Sequence, residues 1–202
     1  MPYFVIEGQD ATGKTTQVEE LVKYLRGQGH EVVKVEEPSQ HSLVARVIRR
    51  LLKERKFGLT ADVQALLFTV SRLLTWNEVI APALKRGAYV VASRNWYSTL
   101  AYQCGDGVSR RQVEDLTRTW VPPKYRVPDG VVILVVPEEE RLARQMQRNE
   151  LVAQDAFESR DAAYQKHVNQ NYWEVARGHN VPTIKVTTVA ETQEKIREAL
   201  GV

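Results

Sequence analysis

The densest group of residues that could carry chemistry lies near the start of the chain. Positions 8–15 read Gly-Gln-Asp-Ala-Thr-Gly-Lys-Thr, which matches the pattern G-x-x-x-x-G-K-[ST]. Glycines in such a loop let consecutive backbone N–H groups turn toward phosphate oxygens, and the N-terminus of a following helix adds positive charge. Lys14 would neutralise charge on β- and γ-phosphates, and the Thr15 hydroxyl would bind Mg²⁺. The motif therefore predicts a nucleoside triphosphate site.

The flanking sequence gives this loop the surroundings that it needs. Tyr3–Ile6 is apolar and predicts a strand that ends at the loop. A helix is predicted directly after the loop, with apolar positions at Val18, Leu21, Val22 and Leu25. Strand, loop and helix in this order are the setting in which the motif binds phosphate. The alternative, a glycine-rich turn with an incidental lysine, does not require that setting.

Five short segments rich in β-branched residues alternate with helical patterns along the chain. They are Tyr3–Glu7, Glu31–Val35, Ala88–Ala92, Val131–Val136 and Thr183–Val186. Several are continuous runs of Val, Ile and Leu, as expected for strands that are covered on both faces. The alternation predicts an α/β fold, with a five-stranded parallel sheet and helices on both faces.

Two helical patterns have distinct apolar faces. Residues 43–56 place these apolar side chains on one face: Val44, Val47, Ile48, Leu51 and Leu52. We expect the basic face of the same helix to be solvated surface rather than a partner site; it carries Arg46, Arg49, Arg50, Lys53 and Lys56. A longer helix is predicted from Thr60, as N-cap, to about Arg86, with a kink or break at Pro82. Its predicted buried side consists of Val63, Leu66, Leu67, Val70, Leu73 and Leu74.

The carboxyl ends of the predicted strands should bring sequence-distant residues together, because ligands bind there in open parallel sheets. Arg94, Ser98 and Tyr102 follow the third strand at intervals of four and would share one helix face. A guanidinium, a hydroxyl and a phenol suit a phosphate, a sugar and the edge of a base. Phe68 and Arg72 are also four apart, and their aromatic plane and planar donor suit a nucleobase. The alternative is an exposed cation–π pair among ordinary surface polar groups.

A third basic group lies further along the chain. Arg141, Arg144 and Arg148 have helical spacing and precede a polar stretch that leads to Asp155–Glu158. Such a run is usually a solvated helix face. Near the crevice it would instead form a lid, near 141–158, whose arginines close over the transferring phosphates.

The composition bounds the class of protein. The chain has 202 residues, of which 43% are hydrophobic and 26% are charged, and we expect one domain over 1–202. Cys104 is the single cysteine, which excludes an internal disulfide and favours a reducing, cytoplasmic location. No apolar run approaches the ~20 residues of a membrane span. The net charge of +3 is compatible with phosphate ligands but too small to indicate nucleic acid.

In combination, these motifs resemble those of the thymidylate kinase family, the P-loop nucleoside monophosphate kinases that act on dTMP. Residues 6–16 resemble the family P-loop, including the acidic Asp10, and Leu67–Arg72 resembles its base-binding helix. Arg94 falls on the Arg of the family's Asp-Arg motif, and residues 98–103 fall on its Ser-x-x-Ala-Tyr-Gln stretch. The resemblance covers nearly the whole chain. It implies a three-layer P-loop kinase fold with a short lid, ATP and Mg²⁺ as cofactors, and a homodimer formed through the long helix.

The resemblance also implies a role for each candidate residue. The catalytic residues would be Asp10, Lys14, Arg94 and Arg148. The ATP site would consist of Gly8, Gln9, Asp10, Ala11, Thr12, Gly13, Lys14, Thr15, Thr16 and Arg144, with Thr15 also as the metal ligand. The nucleotide substrate would be bound by Phe68, Arg72, Arg94, Ser98, Tyr102 and Gln103. In this arrangement Phe68 stacks on thymine, Arg72 contacts its edge and Arg94 holds the acceptor phosphate.

The chain departs from the family pattern at several charged positions. Ser93 replaces an Asp, Glu36 and Ala156 replace arginines, Val135 replaces an Asp, and Ala11 leaves the P-loop without a basic residue. We therefore expect lid arginines to meet the transition-state charge, Arg148 first and Arg144 second. Either Glu36 or Glu37 restores the missing carboxylate, or catalysis is weak. Asp10 would face a Mg²⁺-bound water or an acceptor hydroxyl.

The expected function is ATP-dependent phosphoryl transfer to a deoxynucleoside monophosphate, dTMP, which gives dTDP. Two alternatives stay open: a kinase for another nucleoside or nucleotide, and a P-loop nucleotide-binding sensor with weak or lost catalysis. A nucleic-acid-binding module based on the basic helix at 43–56 is the least favoured. We expect neither nucleic acid nor membrane as a partner.

Overall fold

A five-stranded parallel sheet forms the centre of the molecule. The computed structural model describes residues 1–149 and 155–202. The strands are β1 (Tyr3–Gly8), β2 (Val32–Glu36), β3 (Tyr89–Ser93), β4 (Gly130–Val135) and β5 (Thr183–Lys185). Their order across the sheet is β2-β3-β1-β4-β5, and all paired strands are parallel. The predicted strands are confirmed, with ends that differ by one residue.

Helices connect the strands and cover the sheet. They are α1 (Lys14–Gly27), α2 (Leu43–Lys53), α3 (Ala61–Thr75), α4 (Ala81–Lys85), α5 (Tyr97–Tyr102), α6 (Arg110–Trp120), α7 (Pro123–Arg126), α8 (Glu138–Asn149), α9 (Ala162–Gly178) and α10 (Val189–Leu200). Short 3₁₀ turns occupy Arg55–Phe57 and Cys104–Asp106. Within the two described ranges, every helix is too short or too polar to cross a bilayer.

The two faces of the sheet carry separate apolar cores because side chains alternate along a strand. Phe4 and Ile6 pack with α1 and α10 on one face, whereas Tyr3 and Val5 pack with α5 and α9 on the other. β1 is buried at all six of its positions, as expected for a central strand covered on both sides. The predicted layer order of helix, sheet and helix is therefore confirmed.

The predicted long helix continues through Pro82 instead of breaking there. α3 ends at Thr75, a π-helical turn follows at Trp76–Ile80, and α4 continues to Lys85. The Ala81 N–H donates to the Trp76 carbonyl, five residues back. This wider turn accommodates a proline, which has no N–H to donate and clashes with the carbonyl four residues before it.

The prediction of which side of α3 is buried was wrong at several positions. Val63, Leu66 and Val70 are exposed, by 37%, 48% and 46%. The face of α3 that turns inward is polar and carries Gln64, Thr69, Ser71 and Arg72. Gln64, Thr69 and Arg72 find hydrogen-bond partners inside the protein, so their burial does not cost the full desolvation penalty. On α2, likewise, Val44 and Val47 are exposed while Ile48 and Leu52 are buried.

Candidate functional site

The loop between β1 and α1 has the backbone geometry of a phosphate-binding loop. Gly8 has a φ of +142° and Gly13 a φ of +87°, and Ala11 adopts the left-handed region with a φ of +66°. The Thr12 hydroxyl donates to the Gln9 carbonyl over 2.9 Å, which holds the turn. The first turn of α1 begins at Lys14, so its free N–H groups face the same space. Thr15 and Thr16 are exposed at this helix end.

Lys14 lies inside the loop with its ammonium directed at the backbone. Its Nζ donates to the Gln9 carbonyl over 2.7 Å. Burial, together with the nearby Arg94 guanidinium, lowers the pKa of Lys14 to about 7. A phosphate placed in the loop would supply the negative charge that this ammonium lacks.

Arg94 faces the loop from the carboxyl end of β3. Its guanidinium donates to the Gly8 carbonyl over 3.0 Å, to Ser98 Oγ over 3.0 Å and to the Tyr172 hydroxyl over 2.8 Å. It also forms an ion pair with Asp10. The backbone of Arg94 has a φ of +72°, an uncommon conformation for a residue with a side chain and one that concentrates at functional sites.

Asp10 holds Arg94 in place. Its carboxylate accepts from Arg94 and from the Tyr102 hydroxyl. Although burial opposes the charged form, the cations Arg94 and Lys14 hold the pKa of Asp10 well below its usual range. The expectation that Asp10 faces a Mg²⁺-bound water or an acceptor hydroxyl stays a prediction, since each carboxylate oxygen can accept a further hydrogen bond and Asp10 lines both the pocket and the cleft.

Glu7 is a buried residue of the site that sequence reasoning missed. Its carboxylate accepts from the Asn95 N–H over 2.6 Å, from Ser98 Oγ over 2.7 Å and from the Tyr172 hydroxyl over 3.1 Å. These bonds fix the start of α5 and part of α9 against the end of β1. An acidic residue at the end of an otherwise apolar strand was the available signal, because a buried charge needs such partners.

The residues predicted to bind a nucleotide line one pocket beside α3 and α5. The lining includes all six of them, Phe68, Arg72, Arg94, Ser98, Tyr102 and Gln103, together with Asp10, Glu37, Pro38, Lys53, Thr99 and Phe157. The alternative of an exposed cation–π pair was wrong, since Arg72 is 2% exposed. Its guanidinium lies 5.4 Å from the Phe68 ring centre.

Arg72 is oriented by three hydrogen bonds and keeps donors for a ligand. It donates to Glu37 over 3.0 Å, to Thr99 Oγ1 over 2.7 Å and to the Asn95 carbonyl over 2.9 Å. A guanidinium has five N–H groups, so two are unused by these partners. Gln103 is 1% exposed and its Oε1 accepts from no group in the described part of the chain. The pocket therefore presents both donors and an unsatisfied acceptor.

A wider cleft of about 560 Å³ lies beside this pocket and along the phosphate-binding loop. It is lined by Asp10, Ala11, Gly13, Lys14, Thr15, Glu36, Glu37, Arg49, Lys53, Ser93, Arg94, Arg144, Asp155 and Glu158. Asp10, Glu37, Lys53 and Arg94 line both spaces. A ligand in the pocket and a polyphosphate in the cleft would meet at these residues.

Two cations of α2 reach this cleft, contrary to the prediction that the basic face is solvated. Arg49 donates to the Pro38 carbonyl and to Glu36, and Lys53 pairs with Asp155. Arg46, Arg50 and Lys56 are exposed as predicted. The spacing of four between residues 49 and 53 was a signal that these two share a direction.

The three arginines near the predicted lid differ in their surroundings. Arg141 is 1% exposed, is paired with Glu138 and donates to Gln145, so the prediction that it closes over phosphates was wrong. Arg144 lines the cleft, and its Nη1 is 3.8 Å from where a Gly13 Cβ would lie. The side chain of Arg148 and residues 150–154 lie outside the described residues, so the lid itself stays a prediction.

A hydroxyl and a carboxylate on the cleft could hold Mg²⁺. Thr15 and Glu36 both line the cleft, and the Glu36 side chain is 60% exposed. One or two carboxylates with waters and substrate phosphates suffice for Mg²⁺ in such sites. Glu37 is unsuitable, because it is buried and its carboxylate accepts from Arg72 and Tyr125. Burial raises the pKa of Glu37.

Comparison with known proteins agrees with this geometry. A family model described as thymidylate kinase matches residues 6–196. The thymidylate kinase of Methylobacillus flagellatus is 35% identical over 171 residues, which cover 84% of this chain and 80% of that protein. The thymidylate kinase of Neorickettsia sennetsu is 33% identical over 196 residues, covering 96% and 91%. A crystal structure of thymidylate kinase from Ehrlichia chaffeensis shares the fold, with a TM-score of 0.74 at 22% identity and 98% of both chains covered. The phosphate-binding loop, the facing arginine and the match over residues 6–196 show that the chain belongs to the thymidylate kinase family.

Proposed function

We propose that the protein transfers the γ-phosphoryl group of ATP to dTMP and releases ADP and dTDP. One observation carries the assignment: the Arg94 guanidinium faces the phosphate-binding loop and lines both the nucleotide pocket and the cleft. A cation in that position can hold an acceptor phosphate in line with a donor phosphate. Family membership supports the same reaction class, since thymidylate kinases are nucleoside monophosphate kinases.

The transfer needs positioning and charge more than covalent chemistry by the protein. An oxygen of the dTMP phosphate attacks the γ-phosphorus of ATP. The bond from that phosphorus to the bridging oxygen breaks, and ADP leaves with the electron pair. In this scheme Lys14 contacts the β- and γ-phosphates and Arg94 holds the acceptor phosphate. Asp10 positions Arg94.

We assign the binding of Mg²⁺ to the Thr15 hydroxyl and the Glu36 carboxylate. Mg²⁺ bound with ATP would neutralise charge on the β- and γ-phosphates. Glu36 would then provide the carboxylate that the family has at the position of Ser93. Arg144 lies on α8 and lines the same cleft, so we assign to it the additional neutralisation of phosphate charge. Arg148 stays a candidate for the same role.

The polar groups of the pocket favour thymine or uracil. The N3–H of either base is a donor that suits the unsatisfied Gln103 Oε1, and the carbonyl oxygens suit the two remaining Arg72 N–H groups. Cytosine has an acceptor at N3, which would leave Gln103 without a partner. An unsatisfied buried acceptor costs about 1–3 kcal/mol, which is enough for clear discrimination.

The decisive experiment is an acceptor panel with ATP consumption as the readout. We expect turnover with dTMP, weaker turnover with dUMP, and little with dGMP, CMP or thymidine. Turnover with a different acceptor would replace dTMP by that acceptor. Tight ATP binding without turnover for any acceptor would favour a nucleotide sensor instead.

We further propose that the chain forms a homodimer through α3 and acts in the cytoplasm. Val63, Leu66 and Val70 give α3 an exposed apolar face, which a second copy of the same helix would cover. The single Cys104, without a disulfide partner in the chain, suits a reducing compartment.

A further inference from the structure

Lys53 lies at the boundary between the nucleotide pocket and the triphosphate cleft. It is the last residue of α2 and lines both spaces. Within the described chain, the side-chain cations that line both are Lys53 and Arg94. The Lys53 ammonium is close enough to Asp10 and Lys14 to act on them electrostatically, since it contributes to lowering the pKa of both.

The position of the Lys53 ammonium is set by the segment that follows the undescribed residues. It forms an ion pair with Asp155, and its Nζ lies 6.0 Å from the centre of the Phe157 ring. The Ala156 N–H donates to the Lys53 carbonyl over 2.9 Å, which fixes the end of α2 to this segment. An ammonium has three N–H donors, so the pair with Asp155 leaves donors for a further acceptor.

Carboxylates as well as cations line this boundary. Asp10 and Glu37 line both spaces, and Glu36 adds a negative charge to the cleft. Arg49 is directed at Glu36 and the Pro38 carbonyl. Phosphate groups of two substrates that meet here bring several negative charges, and a cation is required to hold them close.

We propose that Lys53 binds phosphate oxygens of the acceptor nucleotide at this boundary, exchanging Asp155 for the phosphate when the nucleotide binds. The proposal rests on the function proposed above. Lys53 acts by charge and not by proton transfer while the acceptor oxygen attacks the γ-phosphorus and ADP leaves. Its partner Asp155 keeps the ammonium in place while the pocket holds no nucleotide.

The test compares Lys53→Met with two matched variants. Arg50→Met removes the same charge from the same helix at a side chain that is 65% exposed and paired with Glu54. Asp155→Asn breaks the same ion pair but leaves the ammonium. Binding of dTMP and of thymidine, which lacks the phosphate, is measured by calorimetry for each variant, and kcat and KM are measured for dTMP.

We expect Lys53→Met to weaken dTMP binding roughly tenfold or more, as loss of a charge-assisted hydrogen bond predicts. Thymidine binding should be unchanged in that variant. Arg50→Met should bind dTMP as the unaltered protein does. Asp155→Asn should bind it at least as tightly, because the carboxylate that competes with the phosphate for Lys53 is gone, and Lys53→Arg should keep most of the affinity. If Lys53 only fastened α2 to the segment at 155–157, Lys53→Met and Asp155→Asn would weaken both ligands alike, and the proposal would be wrong.

Two further results keep the test decisive. If Lys53→Met folds poorly, the double variant Lys53→Met/Asp155→Asn removes the unpaired carboxylate, and it should still lose dTMP affinity but retain thymidine affinity. Equal dTMP affinity in this double variant and in the unaltered protein would overturn the proposal. Failure of the proposed function is separate, because the unaltered protein itself would then not bind or phosphorylate dTMP.

Discussion

The protonation state of Lys14 depends on charged neighbours that come from different parts of the chain. In the free protein the ammonium is buried beside Arg94, and its pKa is lowered to about 7. Asp10 moderates this effect but is itself bound to Arg94. A polyphosphate would place negative charge next to Lys14, so binding and protonation should be coupled.

We predict that ATP binding takes up a proton at Lys14. At about pH 8 the free Lys14 is mostly neutral, whereas in the complex the phosphates raise its pKa toward its usual range, so the uptake should approach one proton. At about pH 6 the side chain is charged in both states and contributes no uptake. Calorimetry in buffers of different ionisation enthalpy measures the number directly.

Lys14→Met serves as the control for this coupling. It should show no uptake at the higher pH and should lose phosphoryl transfer by orders of magnitude without unfolding. Uptake that persists in Lys14→Met would place the titrating group elsewhere, and undiminished turnover would contradict the assigned role of Lys14.

At the scale of elements, the phosphate-binding loop depends on the close approach of β1 to β4. A Cβ added at Gly8 would lie 2.6 Å from the Leu134 carbonyl oxygen and 2.9 Å from Thr12 Oγ1. The φ of +142° at Gly8 is also one that side chains rarely allow. The neighbour is backbone of a central strand, which cannot move away cheaply.

Gly8→Ala should therefore lower the free energy of unfolding by about 2–4 kcal/mol and abolish ATP binding. Gly27→Ala, at the end of α1, is the matched control, because its added Cβ meets no atom within 4 Å and alanine favours helix. Urea unfolding and ATP titration of both variants check the prediction. Equal stability of the two variants would show that the contact between residue 8 and Leu134 does not restrict which residue position 8 tolerates.

At the scale of the whole molecule, one side of α3 contacts the nucleotide pocket and the other side faces outward. Its inward side carries Arg72 and Gln64, which contact pocket residues Glu37 and Gln103. Its outward side exposes apolar residues that a lone chain leaves in water. A second copy covering that side would at the same time stabilise the helix that carries the nucleotide site.

Leu66→Glu should convert the proposed homodimer into a monomer, since it places a charge in an apolar contact. Val189→Glu is the control, at a comparably exposed apolar residue on α10, on the opposite face of the sheet. Sedimentation equilibrium distinguishes the two states. A monomeric unaltered protein, or a Leu66→Glu variant that remains dimeric, would rule out this face as the interface.

Contiguous features were predicted well because local residues specify them. The loop at 8–15 is complete within eight positions. The strands are short apolar runs, which predict a strand without information from distant parts of the chain. The pairs Phe68–Arg72 and Arg94–Ser98 needed only helical spacing and the rule that ligands bind at strand ends. These residues do line one pocket.

Features that depend on a partner distant in sequence were not predictable in the same way. Glu7 and Asp10 depend on groups more than eighty residues away. Which face of α3 is buried depends on which face finds hydrogen-bond partners in the folded chain. Helical periodicity defines both faces but does not say which one turns inward. Lys53 looked like surface because its carboxylate partner, Asp155, is 102 positions further on.

The sequence by itself determined that the chain has a phosphate-binding loop on a parallel α/β sheet, since backbone freedom at glycines and apolar runs act locally. The tertiary structure alone decided which charged groups face that loop. A buried charge is stable only where the folded chain supplies an opposite charge or a hydrogen bond, and for Arg94, Arg72 and Lys53 those partners come from other elements.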